Sequence, residues 1–181
     1  MLCGIDEAGR GCLAGPLVVA GVILTGKVEG LNDSKQLSEK KREKLFEEII
    51  QNASYEIVFT DNETIDEIGL SKAIKNSIMM IMEKLSPSHT IMDGNTTFGV
   101  ANVEAIIKAD ATVAEVSAAS ILAKVSRDRY IVEQDDNFPQ YGFAKHKGYG
   151  TKHHVAMIEK YGLCPLHRQS FKIKSLQPTL F

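Results

Sequence analysis

Two apolar runs separated by a glycine-rich stretch open the chain, and they restrict its fold more than any other feature. Met1 to Glu7 and PLVVAGVIL (16–24) read as strands, since both are short apolar segments bounded by turn residues. GRGCLAG between them supplies a turn, so a hairpin is predicted. SEKKREKLFEEIIQNA follows, with Leu45, Ile49 and Ile50 at helical spacing and Ser38 placed to cap a surface helix. SYEIVFT (54–60) alternates like a strand, and Asp61 to Leu85 is a helical stretch broken near Gly69. Its face of Ile74, Ile78, Met79, Ile81, Met82 and Leu85 belongs to a core rather than to a cofactor. HTIMDG (89–94) and NVEAIIKAD (102–110) read as two further strands, and VAEVSAASILAKVSRDRYIVEQ as the last long helix. The order β-β-α-β-α-β-β-α predicts an α/β fold, a mixed sheet layered with helices.

At 181 residues and 44% hydrophobic, the chain can bury one core and is short for two enzyme domains. We expect residues 1–136 to form the core. Residues 137–181 should form a basic, mostly helical segment packed on or beside it. No apolar run reaches the ~18 residues of a membrane span, and no leader pattern opens the chain. A soluble cytoplasmic monomer is expected. Cys3, Cys12 and Cys164 are odd in number and lack metal-ligand spacing, so they read as free thiols.

The formal net charge of −2 conceals a polarity. Residues 1–120 carry 11 Lys and Arg against 18 Asp and Glu, while residues 121–181 carry 10 against 5. From Tyr141 to Lys174 there are seven basic residues, four histidines and a single acid, Glu159. Such a composition suits either a surface laid against phosphates or a solvated basic face.

Acids fall at three predicted strand ends: Asp6 with Glu7, Asp93 and Asp110. Ligands of open α/β sheets gather at strand ends, and carboxylates brought together there repel one another unless a cation lies between them. Hard cations prefer oxygen ligands, so Mg²⁺ or Mn²⁺ is expected. Two such ions ~3.5–4 Å apart suit in-line phosphoryl displacement, which is nuclease chemistry. Taken singly, either Asp93 or Asp110 reads as a solvated turn residue rather than a ligand. Neighbouring strand residues point to opposite faces, so a bend or bulge near Glu7 is needed if Asp6 and Glu7 are to share a site. Gly9, Gly11 and Gly15 do not form a dinucleotide fingerprint, because the spacing differs and Pro16 opens a strand instead of a helix. Their missing side chains let backbone amides approach a sugar or phosphate, with Arg10 beside them as a donor.

GIDEAGRG, GPLVVAGV, NDSKQLS, MDG, KAD, SAASILAKVSRDR, HKGYGT and HRQSF, in that order, resemble ribonuclease HII, the type 2 ribonuclease H family, from Gly4 to about Phe171. The resemblance implies an RNase H-like fold. It further implies a metal-dependent endoribonuclease that cuts the RNA strand of RNA–DNA hybrids and single ribonucleotides embedded in duplex DNA, leaving 3′-hydroxyl and 5′-phosphate ends. The family's four metal-binding acids fall on Asp6, Glu7, Asp93 and Asp110, and its glycine-arginine-glycine motif on Gly9, Arg10 and Gly11, whose backbone senses the ribose 2′-hydroxyl. Its tyrosine falls on Tyr149, packed against the next deoxyribose, and a position near the backbone phosphates falls on Lys35. Cys12 departs from the proline usual after that motif, which removes a restraint on the loop.

Two other classes compete. A resolvase- or integrase-like nuclease would share the carboxylates but has no use for a 2′-hydroxyl sensor, and a non-catalytic nucleic-acid-binding module would leave four acids unexplained. In SLQPTLF at the end, Gln177, Leu180 and Phe181 form a Q-x-x-L-F arrangement. It resembles the peptides that bacterial replication proteins insert into a sliding clamp. Folding of Leu180 and Phe181 onto the domain's own apolar surface is the alternative.

Overall fold

The computed structural model describes residues 1–173. Strand β1 (Leu2–Ala8) and strand β2 (Leu17–Leu24) form the predicted antiparallel hairpin, with Asp6 opposite Ala20 and Glu7 opposite Val19. Helix α1 (Glu39–Gln51) follows, capped by the Ser38 hydroxyl accepting from the Lys41 amide. Strand β3 (Ala53–Thr60) returns antiparallel to β2. Helices α2 (Asn62–Ile68) and α3 (Leu70–Leu85) are separated at Gly69, whose φ of 82° ends one helix and turns the chain into the next. Strands β4 (His89–Asp93) and β5 (Val103–Ile106) add parallel to β1, giving the mixed order β3-β2-β1-β4-β5. Helix α4 (Ala114–Glu133) crosses the sheet, and α5 (Phe143–His146) and α6 (Lys152–Tyr161) complete the described chain.

Period-two alternation in β2 sorts the core into two layers. Val18, Ala20 and Val22 face α1 and α4, where Leu45, Ile49, Ala119 and Leu122 are buried. Leu17, Val19 and Ile23 face the other way, onto Ile65 of α2 and Ile74, Ile78 and Ile81 of α3. Each isoleucine so enclosed contributes roughly 1.5–3 kcal/mol of burial. The small residues of the SAAS run let α4 lie close over β1. A Cβ added at Gly4 would overlap the Glu115–Val116 backbone, so that glycine is required by close approach.

Three expectations are corrected. The strand expected over residues 102–110 ends at Ile106, because Lys108 takes a left-handed conformation (φ 61°) and turns the chain into a 3₁₀ turn, Ala109–Ala111. Asp110 therefore sits in that turn and not at a strand end. The segment from residue 137, expected to be mostly helical, has 4 residues in α5 and 10 in α6. Left-handed glycines at 142, 148 and 162 interrupt it, and the remaining described residues are turns and extended chain. That segment closes a third apolar cluster in which Tyr141, Phe143, Ile158 and Leu166 pack with Ala14 and with Ile131 of α4. Among the described residues no helix is long and apolar enough to cross a membrane.

Candidate active site

Parallel pairing of β1 with β4 brings Asp6 and Asp93 to the same end of the sheet. The 3₁₀ turn then carries Asp110 to them, and carboxylate oxygens of Asp6, Asp93 and Asp110 all lie within 4.8 Å of one another. Two bonds fix the turn: the Ala109 amide donates to Asp93 Oδ1 at 2.9 Å, and the Ser117 hydroxyl of α4 donates to the Asp110 carbonyl. Asp6 and Asp110 are buried, while Asp93 is half-buried.

Glu7 stands apart from the three aspartates, and strand β1 shows neither the bend nor the bulge expected near it. Strand β1 keeps a regular register with β2 through Ala8, so Glu7 points to the face opposite Asp6. Being next to the strand end, it still lines the same cleft of about 220 Å³, together with Asp6, Asp93, Gly9, Arg10, Gly11, Lys35, Lys124 and Tyr149. Glu7 Oε1 is 3.5 Å from Arg10 Nη1, whereas Oε2 is buried without a hydrogen-bond partner among the described residues.

The carboxyls of this cleft crowd and repel one another. Burial, followed by repulsion from Glu7 and Asp93, holds the Asp6 carboxyl well above the usual carboxylate range. Burial also raises Glu7 against the opposing pull of Arg10, and it raises Asp110, which faces both Asp93 and Asp33. Three converging carboxylates and an orphaned carboxylate oxygen match the donor set that hard divalent cations take. The residues present therefore fit such a metal.

The remaining site residues surround these acids. Lys35 Nζ lies 3.9 Å from Asp110 Oδ2 on an exposed side chain. The Arg10 guanidinium is 5.5 Å from the Phe98 ring centroid, so its side chain is turned toward Glu7 and Phe98. Tyr149 forms an isolated antiparallel bridge with Cys12, which joins the glycine loop to the basic segment. Its ring is 38% exposed, near Lys124 Nζ (5.1 Å) and Arg127 Cζ (5.6 Å), and burial pushes its phenol up to about 12. Cys12 is buried, and Cys3, Cys12 and Cys164 are free thiols. Gln177, Leu180 and Phe181 lie outside the described residues.

Sequence reasoning missed the residues that support this site. Ser34 and Ser120 are buried and hydrogen-bonded to each other at 2.7 Å beside Asp6. Arg127 and Arg168 are 0% and 2% exposed behind the glycine loop. Neither arginine carries a local signal, because a basic residue on a helix or in a loop ordinarily reads as surface.

A mixed five-stranded sheet flanked by helices, with clustered acids at one end of the sheet, places the chain in the RNase H-like class. The family model of ribonuclease HII matches residues 3–174, and the chain belongs to that family and is a metal-dependent ribonuclease. Ribonuclease HII of Aliarcobacter butzleri is 59% identical over 177 residues, 97% of this chain and 92% of that protein. That of a Sulfurovum species is 52% identical over 181 residues, covering 99% and 96%. Among solved structures, ribonuclease HII in the PCNA complex from Archaeoglobus fulgidus superposes with a TM-score of 0.84 at 31% identity, over 99% of this chain and 98% of that one. Ribonuclease H2 of Pyrococcus horikoshii gives 0.79 at 29% identity, over 94% and 93%.

Proposed function

We propose that the chain cleaves the RNA strand of RNA–DNA hybrids and cuts at single ribonucleotides embedded in duplex DNA, leaving 3′-hydroxyl and 5′-phosphate ends. One observation carries this reading: Asp6 and Asp93, whose carboxylates lie within 4.8 Å of each other and of Asp110, line one cleft with the Gly9–Arg10–Gly11 loop and Tyr149. Acids alone would serve any phosphodiesterase. A backbone loop and an aromatic ring beside them add a means of reading the sugar.

In this mechanism Asp6, Asp93 and Asp110, with Glu7 at the cleft edge completing the set, would hold two divalent cations, Mg²⁺ or Mn²⁺. When bound, these cations supply Lewis-acid stabilisation of the attacking and leaving oxygens of an in-line displacement. The protein's own groups do the rest. Burial raises the carboxyls of Asp6, Glu7 and Asp110, and the positive charge of a bound cation would favour their ionised, ligating form. Lys35 and Lys124 line the cleft as phosphate partners, and the loop amides meet the 2′-hydroxyl. The Tyr149 ring packs on the adjoining deoxyribose and so favours an RNA-to-DNA junction. A duplex with one ribonucleotide, compared with an all-DNA duplex and a long hybrid under Mg²⁺ and under Mn²⁺, tests the reading. Cleavage of the ribonucleotide-containing substrates alone is expected, and equal cutting of all-DNA duplex would overturn it in favour of a resolvase-like enzyme.

A partner is also proposed. The Archaeoglobus fulgidus relative is a complex with PCNA, and this chain ends in Gln177, Leu180 and Phe181, an arrangement able to place two apolar anchors and an orienting amide in a sliding-clamp pocket.

A further inference from the structure

Behind the Gly9–Arg10–Gly11 loop lie two arginines that the mechanism above does not use. Arg127, from α4, is fully buried and donates from all three guanidinium nitrogens: Nε to Pro16 O at 2.9 Å, Nη1 to Lys147 O at 2.8 Å and Nη2 to Ala14 O at 2.9 Å. Arg168, 2% exposed, donates from Nε to Gly15 O at 3.0 Å and from Nη1 to Arg10 O at 3.3 Å. Among the described residues neither guanidinium has a carboxylate within 4.0 Å. Burying two like charges without acids is costly; the carbonyls of this loop and of Lys147 offset that cost, with the Tyr149 ring 5.6 Å from Arg127 Cζ and the Phe171 ring 5.0 Å from Arg168 Cζ. The loop is also shaped to admit them. A Cβ at Gly9, whose φ is 90°, would overlap Arg127 Nε and Pro16 O, and one at Gly148 would meet Ala14 O at 2.5 Å.

These bonds fix the direction of the peptide planes. In a trans peptide the carbonyl of one residue and the N–H of the next point opposite ways. Arg168 draws the Arg10 carbonyl inward, which turns the Gly11 N–H outward, toward the cleft that Gly11 lines. That amide has no acceptor among the described residues. Arg127 meanwhile ties the same loop to Lys147, two residues before Tyr149.

We propose that Arg168, with Arg127 beside it, is a positioning residue for sugar recognition, holding the loop carbonyls inward so that the Gly11 amide is aimed at the 2′-hydroxyl. The inference rests on the reading that this loop senses the ribose. It also explains how the loop keeps its shape with Cys12 in place of proline, since the hydrogen bonds from the two arginines supply the restraint.

The test is equilibrium binding of wild type, R168K and R168Q to two duplexes of one sequence, one carrying a single ribonucleotide and the other none, with Ca²⁺ as the only divalent ion. Melting temperatures of the three proteins are recorded alongside. A lysine's single nitrogen cannot span the Gly15 and Arg10 carbonyls, and glutamine cannot reach both. A folded variant should lose up to about tenfold of its preference for the ribonucleotide, the worth of one hydrogen bond. Its affinity for all-DNA duplex should stay unchanged. Retained preference, or equal loss on both duplexes, would overturn the positioning role while leaving the loop reading intact. Absence of preference in wild type would instead overturn the loop reading itself. Failure of both variants to fold would assign Arg168 to the fold alone and overturn the proposal as well.

Discussion

Asp93 is held in place by the residue next to Asp110: the Ala109 amide donates to Asp93 Oδ1 at 2.9 Å. One hydrogen bond thus sets the spacing of two carboxylates that come from different parts of the chain. An asparagine at 93 keeps an oxygen acceptor for Ala109 while removing the charge. Asp93→Asn and Asp6→Asn should therefore fold and lose activity by at least about a hundredfold, the scale of several kcal/mol of transition-state stabilisation. In EDTA each variant should melt at or above the wild-type temperature, because Asp6 is buried against the charges of Glu7 and Asp93. Turnover within a few-fold of wild type would remove these residues from the metal site.

Tyr149 presents a partly exposed ring to the cleft, with Lys124 and Arg127 near it. Tyr149→Ala should weaken cutting at a single embedded ribonucleotide more than cutting within a long hybrid, by the ~1–3 kcal/mol of a lost stacking contact. Steady-state kinetics on both substrates decides the matter. Equal losses would place the ring in general binding or in the fold.

What the sequence made legible was periodic. The apolar runs of β1 and β2, the alternation of β3 and the helical spacing in α3 are driven by burial on known faces, so the hairpin, the layers and the break at Gly69 are legible in the sequence. Asp110 was found as a residue but placed wrongly, since the left-handed Lys108 that redirects it has no turn-residue signature. Glu7 was expected to need a bulge, whereas a regular strand that simply ends beside it brings it to the cleft edge. Arg127 and Arg168 were invisible as support because their burial depends on carbonyls contributed by residues far away in the chain.

For the clamp contact, a protein lacking residues 177–181 should cleave a short ribonucleotide-containing duplex as wild type does. It should bind purified bacterial sliding clamp at least about tenfold more weakly, since two apolar anchors and a hydrogen bond are removed. Titration calorimetry of both forms against the clamp measures this. Indistinguishable affinities, or a melting temperature that falls on truncation, would return Leu180 and Phe181 to the domain's own surface.

Three buried histidines, His146, His154 and His167, predict how stability depends on pH. The Cys164 amide donates to His167 Nδ1 at 2.8 Å, which leaves the proton on His167 Nε2 to be donated to His154 Nε2 at 3.0 Å. His154 Nδ1–H is then donated to the Tyr149 carbonyl at 2.9 Å. All the nitrogens of this pair are used with both rings neutral, and a further proton would break either the bond between the rings, at His154 Nε2, or the bond from the Cys164 amide, at His167 Nδ1. Burial accordingly lowers His154 to about 4 and depresses His146 and His167 from their ordinary value. For a base with a depressed folded pKa, the unfolded chain binds more protons between the two values. Stability is therefore complete above the unfolded value of ~6.5 and is lost as pH falls toward 4, with a slope of up to ~1.4 kcal/mol per pH unit for each histidine. The raised carboxyls of Asp6, Glu7 and Asp110 act with the opposite sign, so the comparison is made against His154→Gln, which leaves them untouched. Chemical denaturation in EDTA from pH 8 to pH 4.5 should give a shallower loss in His154→Gln than in wild type. Parallel curves for the two proteins would show that this histidine pair does not carry the acid sensitivity.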